Sequence, residues 1–308
     1  MSAQAFAPAS VGNVAIGFDI LGFSVDAIGD RAVVKRTAAG GVTIKAIQGV
    51  VPDLPLQAAQ NTAGRALMAM QEALAPDFGF ELELHKGIPL ASGLGGSAAS
   101  AVAAVVAANA LLDQPRAAIE LLKFAMHGEA VASGSMHVDN IAPSLFGGLV
   151  LTVGIDHPRI KQIPVPAAIR AVIVHPHMLL STREARAMLS LTVKMADFVW
   201  QTANLAGFIS GCYTDDLDMV RESFQDVVIE PQRAALIPGF AEVRRSALAA
   251  GALGCSISGA GPTIFAWCLA THAESVREAM VREFAQHGLD SDHWITAVTP
   301  TGGARVID

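Results

Sequence analysis

Apolar and polar residues follow the period of a strand or of a helix along the N-terminal part of the chain. β-Branched residues dominate two segments, 31–37 and 42–48, that flank an Ala-Ala-Gly-Gly turn, which predicts a β-hairpin. Apolar residues at helical spacing over 60–73 predict a helix, and alternation over 78–85 predicts a strand after it. The first fifty residues are expected to be mainly sheet.

Three prolines in the segment DHPRIKQIPVP, residues 156–166, interrupt every period, and the domain boundary is predicted there. The predicted domains are residues 1–155 and residues 156–308. Further helices are predicted at 97–112, 115–129, 182–250 (three or four) and 272–287, and strands at 147–153, 169–175, 253–257 and 263–268. Because strands and helices mix without regular βαβ alternation, this order favours two α+β domains over a doubly wound sheet.

The most apolar segment, residues 88–112, contains no charged residue. Its length meets the first criterion of a transmembrane helix, but its first half contains a proline and three glycines. Only the Ala-rich half is expected to be helical, and at about 1.5 Å per residue it spans roughly 24 Å, less than the roughly 30 Å of a bilayer core. We therefore interpret it as a buried helix and expect no membrane partner.

The composition is that of a folded protein. Of its 308 residues, 52% are hydrophobic and 16% charged, which excludes a disordered chain. The net charge of −7, with no Lys/Arg run longer than two residues, argues against a nucleic-acid partner. Cys212, Cys255 and Cys268 are odd in number and lack CxxC spacing, so a disulfide framework or zinc site is not expected and a cytoplasmic location is.

The segment PLASGLGGSAA, residues 89–99, joins a Gly-rich loop to the start of the Ala-rich helix. Three glycines within four positions let backbone N–H groups approach a ligand, and the helix N-terminus adds N–H donors and a positive dipole end. The combination predicts a phosphate site, with Ser97 as helix N-cap and as a hydroxyl able to ligate Mg²⁺. An ordinary Gly-rich connection is the alternative.

Two familiar phosphate motifs do not fit this segment. A Walker A loop requires Gly-Lys-Ser/Thr, and no lysine lies between Lys86 and Lys123. The pattern Gly-x-Gly-x-x-Ala at residues 93–98 matches a dinucleotide fingerprint, but the corresponding acidic residue, Asp113, follows the helix with no room for a second strand.

The segment PLASGLGGSAAS resembles the PxxxGLGSSAA loop of the GHMP small-molecule kinases, which include galactokinase and mevalonate kinase. APASVGNVAIGFDILG at 7–22 and GCSISGAGPTIFA at 254–266 resemble the first and third motifs of that superfamily. HGEAVASGSMHVDNIAPSLFGG at 127–148 and STREAR at 181–186 narrow the resemblance to the family that phosphorylates L-homoserine. It covers nearly the whole chain and implies a two-domain α+β GHMP kinase-like fold, with an N-terminal ATP-binding domain and a C-terminal ferredoxin-like α/β sandwich domain.

The resemblance implies transfer of the γ-phosphoryl group of ATP to the hydroxyl of L-homoserine, a step of threonine biosynthesis, with Mg²⁺ as cofactor. The residues that it assigns to ATP are Pro89, Leu90, Ala91, Ser92, Gly93, Leu94, Gly95, Gly96, Ser97, Ala98, Ala99 and Asn61. Ser97 and Glu129 match the family's metal-contacting residues, and their oxygens suit Mg²⁺. Taken alone, Glu129 is also explained as a solvated charge and Asn61 as a helix-start residue.

The resemblance also assigns a site to each polar group of the substrate. Its assignments are Asn13 and Asp19 for the ammonium group, Thr182, Arg186 and Arg233 for the carboxylate, and His137 and Asn140 for the hydroxyl. Taken singly, these residues are better explained as a turn-capping Asp19, as surface arginines and as a core histidine, but taken together they are better explained as a substrate site.

Asn140 bears on the catalytic mechanism. At the position that matches Asn140, mevalonate kinase and galactokinase carry an Asp that is thought to act as the base. The homoserine-phosphorylating family that this chain resembles has an Asn there, and an amide cannot take the proton of the substrate hydroxyl. Asp139 is adjacent but, as a chain neighbour, is expected to point elsewhere. Catalysis by Asn140, His137 and Glu129 is therefore expected to rest on positioning and charge stabilisation, with the proton leaving to phosphate or solvent.

Two alternatives stay open. One is another GHMP kinase, for mevalonate, a methylerythritol intermediate or a sugar, and the other is a non-catalytic binding protein with the same fold. Asp19, Arg186 and Arg233 favour an amino-acid substrate, and Ser97 with Glu129 favours an enzyme. A homodimer is the expected assembly, because it is the commonest one.

Overall fold

The structure is a computed structural model that describes residues 1–133, 138–154 and 157–308. Its strands are β1 (Ser2–Gly12), β2 (Leu21–Thr37), β3 (Val42–Gly49), β4 (Gly79–Lys86), β5 (Leu149–Val153), β6 (Arg159–Ile163), β7 (Ile169–Pro176), β8 (Ala252–Ile257), β9 (Ile264–Leu269), β10 (Ser291–Ala297) and β11 (Arg305–Ile307). Its α-helices are α1 (Thr62–Leu74), α2 (Gly96–Asn109), α3 (Ala118–Ser133), α4 (Val138–Phe146), α5 (Thr182–Ala187), α6 (Met195–Thr214), α7 (Leu217–Ser223), α8 (Glu230–Arg233), α9 (Phe240–Ala249) and α10 (Ala273–Gln286). His137 lies outside the described residues.

The larger sheet has the strand order β11-β1-β2-β4-β3, and β5 and β6 extend it from the start of β2. Its pairs are antiparallel except β3–β4, which is parallel. The predicted hairpin of β2 with β3 is therefore wrong, because β4 lies between them and pairs with both. Phe80, Leu82 and Leu84 of β4 are at most 1% exposed, so the central position removes more apolar surface from water than an edge position would.

The Ala-rich helix α2 is buried by elements on several sides, as the uncharged segment predicted. It packs on β1 and β2 and is flanked by α1, α3 and α4. The close approach of these helices requires small residues: a Cβ atom at Gly128 of α3 would lie 2.3 Å from the carbonyl oxygen of Thr62 and 3.1 Å from Cβ of Ala101. This packing fixes the N-terminal end of α2, where the Gly-rich loop ends.

The smaller sheet has the strand order β10-β7-β9-β8, and all of its pairs are antiparallel. In chain order its strands and helices form a βαββαβ unit, with α9 and α10 packed on its strands. Four strands in the order 4-1-3-2 with this connectivity are typical of a ferredoxin-like domain. The structure therefore has the predicted α+β organisation, with a ferredoxin-like C-terminal domain.

Aromatic side chains join the two sheets. Phe23 of β2 contacts Phe265 and Trp267 of β9, with ring centroids 5.4 and 5.8 Å apart and edge-to-face geometry. Phe208 of α6 and Phe224 also pack on Trp267, with ring centroids 5.2 and 5.8 Å away. Because the contacts are buried and apolar, they hold the two domains in a fixed relation across the cleft between them.

Both sides of the predicted boundary contribute to the larger sheet, since β6 and β11 follow residue 156 and pair with β5 and β1. The boundary between residues 155 and 156 stays a prediction. Within residues 1–133, 138–154 and 157–308, none of the helices has the length and apolarity needed to cross a bilayer.

A buried ion pair ties β2, β4 and α2 together. Lys86, the last residue of β4, pairs with the fully buried carboxylate of Asp30. Its ammonium group also donates to the carbonyl oxygen of Gly96 at 2.8 Å and to Oγ of Ser100 at 2.7 Å, both in the first turns of α2. Asp30 in turn accepts the backbone N–H groups of Gly87 and Ile88, which lead into the Gly-rich loop. The pair therefore fixes the start of the loop and the start of the helix relative to each other.

We expect Lys86→Met to lower the free energy of unfolding by about 3–5 kcal/mol, because it leaves the Asp30 carboxylate buried without its cation. Urea denaturation followed by circular dichroism measures this change. The matched control is Lys45→Met, which removes an exposed Lys–Glu pair from the same sheet and should leave the unfolding midpoint unchanged. Equal midpoints for Lys86→Met and wild type would show that the pair contributes nothing.

Candidate active site

A cavity of about 590 Å³ lies in the cleft between the two domains. Its walls are the Gly-rich loop, the start of α1, the turn after β1, helix α5 and the turn between β8 and β9. The predicted site residues that line it are Asn13, Asp19, Asn61, Pro89, Leu90, Ala91, Ser92, Gly93, Gly95, Gly96, Ser97, Glu129, Asn140, Thr182, Arg186 and Arg233. Three other predicted residues, Leu94, Ala98 and Ala99, have fully buried side chains, so they offer only backbone groups to a ligand.

The Gly-rich loop leads directly into α2, which begins at Gly96. Gly95 is the N-cap, in the left-handed conformation with φ of 64°, so the prediction of Ser97 as N-cap is wrong. A Cβ atom at Gly95 would lie 2.3 Å from Oγ of Ser10, and this explains why glycine occupies the cap position. The first-turn N–H groups of a helix have no partner within it, and here they meet the cavity together with the positive end of the helix dipole.

The second Gly-rich segment, between β8 and β9, supports the loop from behind. Ser258 donates its hydroxyl to the carbonyl oxygen of Gly93 at 2.6 Å, and a Cβ atom at Gly93 would lie 2.6 Å from the carbonyl oxygens of Ser258 and Gly261. Gly259 donates its N–H to the carbonyl oxygen of Gly12 at 3.2 Å and lines the cavity. The C-terminal domain thus shapes the loop that belongs to the N-terminal one.

Glu129 of α3 lies beside the N-terminus of α2 and is 7% exposed. Burial raises the pKa of its carboxyl group to about 7, although a hydrogen bond from Ser97 and the positive charge of Lys86 act in the opposite direction. Because Ser97 is the second residue of α2 and not its cap, its hydroxyl is available for this contact. A carboxylate and a hydroxyl therefore meet next to the helix N-terminus.

Two arginines and an aspartate form the opposite end of the cavity. Arg186 of α5 binds both carboxylate oxygens of Asp19, at 2.7 and 2.9 Å. Arg233 is 3% exposed and donates to the carbonyl oxygen of Gly259 at 2.9 Å. Both guanidinium groups lie over the ring of Phe18, with distances of 5.2 and 5.3 Å to the centroid. The ring holds the two cations close together.

Asn13 connects this end of the cavity to the C-terminal domain. Its amide Nδ2 donates to the carbonyl oxygen of Gly259 at 2.9 Å, and its Oδ1 accepts the backbone N–H of Asp19 at 3.0 Å. Asn13 and Asp19 both have positive φ angles, 69° and 62°. Asparagine and aspartate tolerate this conformation better than most residues, which explains their presence in the turn.

Asn140 and Asp139, neighbours on α4, both approach Gly12. A Cβ atom at Gly12 would lie 2.4 Å from Oδ2 of Asp139 and 2.8 Å from Nδ2 of Asn140, so the expectation that Asp139 points elsewhere is wrong. Both line the cavity, and Asn140 accepts the hydroxyl of Ser10 at 3.0 Å. The absence of a Cβ atom at Gly12 is what allows the two side chains to converge.

Asp139 is a buried carboxyl group that was not among the predicted site residues. Burial and the negative charge of Asp19 raise its pKa to about 7, while the backbone N–H of Asn13 and the charge of Arg186 act against this shift. Among the described residues Asp139 forms no ion pair, and its Oδ1 has no hydrogen-bond partner. Such a group favours a cationic ligand.

Two further side chains of the cavity wall have structural partners. Lys86, which was not among the predicted site residues, lines the cavity next to Gly96 and is held by Asp30. Asn61 caps α1 by accepting the N–H groups of Ala63 and Gly64. The helix-start interpretation of Asn61 therefore holds, although its side chain also borders the cavity.

Family models match both halves of the chain. One described as GHMP kinases N terminal domain matches residues 61–148, and one described as GHMP kinases C terminal matches residues 208–286. The chain is 50% identical to a homoserine kinase of Xylella fastidiosa (strain M12) over 306 residues, which cover 99% of this chain and 94% of that protein. It is 52% identical to a homoserine kinase of Xanthomonas campestris pv. campestris (strain B100) over 297 residues, 96% and 91% of the two chains.

Solved structures agree with these matches. The crystal structure of a homoserine kinase from Cytophaga hutchinsonii superimposes with a TM-score of 0.96 at 43% identity, covering 99% of this chain and 97% of that one. A Lactococcus lactis galactokinase shares the fold at 15% identity, with a TM-score of 0.70 and coverage of 99% and 95%. By sequence and by structure, the chain belongs to the homoserine kinase family of the GHMP kinases.

Proposed function

We propose that the chain transfers the γ-phosphoryl group of ATP to the side-chain hydroxyl of L-homoserine, forming O-phospho-L-homoserine in threonine biosynthesis. One observation carries this proposal: a single cavity has a helix N-terminus at one end and a cluster of carboxylates and arginines at the other. The first end suits phosphates, and the second suits the ammonium and carboxylate groups of an amino acid. The three buried, free cysteines are in keeping with a reducing cytoplasm.

At the phosphate end, the N–H groups of Gly95, Gly96 and Ser97 are the donors for the triphosphate. Lys86 is not assigned a direct contact with phosphate, because its three ammonium protons already have acceptors in Asp30, Gly96 and Ser100. Its positive charge lies at the N-terminus of α2, where it adds to the attraction for an anion. This arrangement resembles other sites in which backbone N–H groups bind anions at the start of a helix.

Glu129 and Ser97 are the residues that would hold Mg²⁺. Their chemistry fits this ion, since a carboxylate and a hydroxyl are hard oxygen donors and Mg²⁺ keeps phosphates and waters as its other ligands. When bound, Mg²⁺ neutralises negative charge on the phosphoryl group during transfer. Burial of Glu129 keeps its side chain in one place.

At the substrate end, the residues match a zwitterion. The guanidinium groups of Arg186 and Arg233 suit the α-carboxylate, and the carboxylates of Asp19 and Asp139 suit the α-ammonium group. Asn140 lies between this cluster and the helix N-terminus, where it would orient the hydroxyl. During transfer the hydroxyl oxygen bonds to the γ-phosphorus while the bond from phosphorus to ADP breaks. The proton leaves to phosphate or solvent, so catalysis rests on alignment of the reactants.

We expect L-homoserine to be phosphorylated with a higher kcat/KM than any other acceptor in a panel that contains mevalonate, galactose and a methylerythritol derivative. The physical reason is the pair of arginines and the pair of carboxylates, which those acceptors cannot match. A coupled ADP-release assay with Mg²⁺ and ATP measures this. If mevalonate or galactose were phosphorylated faster than L-homoserine, the proposed substrate would be wrong. If no acceptor were phosphorylated faster than background, the chain would be a binding protein and not a kinase.

We expect Glu129→Gln to lower kcat about 100-fold or more and to raise the Mg²⁺ concentration needed for half-maximal activity, because an amide is a weaker ligand than a carboxylate. Titration of activity with Mg²⁺ at saturating ATP and homoserine measures both. The matched control is Glu120→Gln on the same helix, which should behave as wild type. The assignment fails if Glu129→Gln keeps the wild-type Mg²⁺ dependence while Asn140→Asp raises the turnover.

We expect Asp139→Asn to raise the KM for L-homoserine about 10- to 100-fold, the cost of losing a charge-assisted hydrogen bond, with a smaller change in kcat. For 4-hydroxybutanoate, which lacks the ammonium group, wild type and variant should have the same KM. Because burial raises the pKa of Asp139 to about 7, the binding carboxylate is lost as pH falls through 7, so the wild-type KM should rise from pH 8 to pH 6. A variant that loses kcat with an unchanged KM would show instead that Asp139 takes the hydroxyl proton.

A further inference from the structure

Ser10 of β1 is a serine next to the cavity whose hydroxyl points at Asn140. Its side chain is fully buried and does not reach the wall of the cavity. Its Oγ donates to Oδ1 of Asn140 at 3.0 Å. Its backbone N–H donates to the carbonyl oxygen of Leu94, in the Gly-rich loop, at 3.1 Å. Ser10 therefore connects the first strand both to the loop and to the residue expected at the substrate hydroxyl.

The hydrogen bond from Ser10 determines which end of the Asn140 amide faces each part of the cavity. Oδ1 lies on the side of Ser10 and of the helix cap, since a Cβ atom at Gly95 would lie 2.9 Å from it. Nδ2 lies on the other side, where a Cβ atom at Gly12 would be 2.8 Å away. Within the described part of the chain, no group accepts a hydrogen bond from Nδ2. Because an amide nitrogen donates and does not accept, Asn140 presents a donor to a ligand in the cavity.

The backbone of Asn140 is held in place independently of this hydrogen bond. Ser144, one turn further along α4, donates its hydroxyl to the carbonyl oxygen of Pro8 at 2.8 Å. Ile141 and Ala142, the next two residues of the helix, are fully buried. Loss of the Ser10 hydroxyl should therefore leave α4 where it is and free only the rotation of the amide group.

We propose that Ser10 is a positioning residue for phosphoryl transfer, which holds the Asn140 amide so that Nδ2 donates to the oxygen of the acceptor hydroxyl. This inference rests on the proposed function and adds to it the direction of the hydroxyl proton. One lone pair of the hydroxyl oxygen is bound to Nδ2 and the other faces the γ-phosphorus. The hydroxyl proton is then left to point at an oxygen of the γ-phosphoryl group.

This orientation of the amide allows the reaction to proceed without a base from the protein. As the bond from the hydroxyl oxygen to phosphorus forms, the bond from phosphorus to ADP breaks and ADP takes its electron pair. The proton passes to an oxygen of the transferred phosphoryl group and from there to solvent. A reversed amide would accept the hydroxyl proton at Oδ1. It would turn the proton away from the phosphate, and the amide could not take it up.

The two orientations of the amide should differ in reactivity and hardly in binding. A reversed amide still makes one hydrogen bond to the acceptor hydroxyl, so the KM for the acceptor should stay the same. The kcat should fall, because only molecules with Nδ2 towards the acceptor react. A loss of kcat without a change in KM is the result expected when an interaction of the transition state is removed.

Steady-state kinetics of Ser10→Ala with Mg²⁺, ATP and L-homoserine test the proposal. We expect kcat to fall about 10-fold and KM to stay within about 2-fold of wild type. The matched control is Ser24→Ala. Ser24 lies opposite Ser10 on β2, is 2% exposed and accepts the backbone N–H of Gly148 at 2.9 Å. This control also removes a buried hydroxyl with a hydrogen bond, but it should keep the wild-type kcat. Equal losses of kcat in the two variants would overturn the proposal.

A double-mutant cycle shows whether Ser10 acts through Asn140. In the Asn140→Ala background, Ser10→Ala should change kcat by less than about 2-fold, because no amide is left to orient. A serine that only stabilised the fold would cost the same factor in both backgrounds, and that result would contradict the proposal. Circular dichroism establishes that each variant is folded. If Ser10→Ala is not, Ser10→Cys keeps nearly the same volume with a weaker donor and should give an intermediate kcat at an unchanged KM. A wild-type kcat of Ser10→Cys in that case would count against the role of Ser10.

Failure of the role of Ser10 and failure of the proposed function give different results. If wild type phosphorylates L-homoserine and Ser10→Ala has the same kcat, the proposed function stands and the role of Ser10 is wrong. If another acceptor of the panel is phosphorylated faster, the same variants are measured with that acceptor, since the proposed contact is to a hydroxyl group. Phosphotransfer by wild type no faster than background would overturn both.

Discussion

The buried ion pair of Asp30 and Lys86 is the interaction on which the phosphate end of the cavity depends. A carboxylate and an ammonium group withdrawn from water need every remaining hydrogen bond satisfied, and here the partners are the residues that begin the Gly-rich loop and the first turns of α2. Because the buried charges need these hydrogen bonds, the pair constrains the positions of the loop and of the helix. The loop enters and the helix starts at fixed points, and the glycines between them line the cavity.

The cavity also depends on contacts between the domains. Phe23 from one sheet packs on Phe265 and Trp267 from the other, so the domains share an apolar core. Closer to the cavity, Ser258 and Gly259 of the C-terminal domain bind Gly93 and Gly12 of the N-terminal one. The two ends of the cavity are thus set by one rigid arrangement. Reactants bound at these ends would be aligned by the fold itself, which agrees with a mechanism that relies on positioning.

Features that depend on neighbouring residues in the chain could be predicted from the sequence. The period of apolar residues predicted α1 and β4, the Ala-rich composition predicted α2, and the glycine spacing located the loop. Features that depend on distant residues could not. The pairing of β3 with β4 is decided by which strand buries more apolar surface, and the cap at Gly95 by the space left beside Ser10. Asp139 and Lys86 lie in the site because of contacts with residues far away in the chain. Neither belongs to a local sequence motif that would have predicted this position. The convergence of Asp139 with Asn140 had one available signal, the glycine at position 12, whose missing side chain leaves room for both.

The ion pair of Arg186 with Asp19 gives the cavity a property that neither residue has alone. The groups suited to the two charges of an amino acid already neutralise each other, at 2.7 and 2.9 Å. A zwitterion can exchange partners with this pair, so that two ionic contacts replace one and no charge is left uncompensated. A ligand with a single charge would separate the pair but would compensate only one of its two charges. If the substrate binds here as proposed, the pair would act as a charge filter that disfavours free carboxylic acids and free amines relative to a zwitterion.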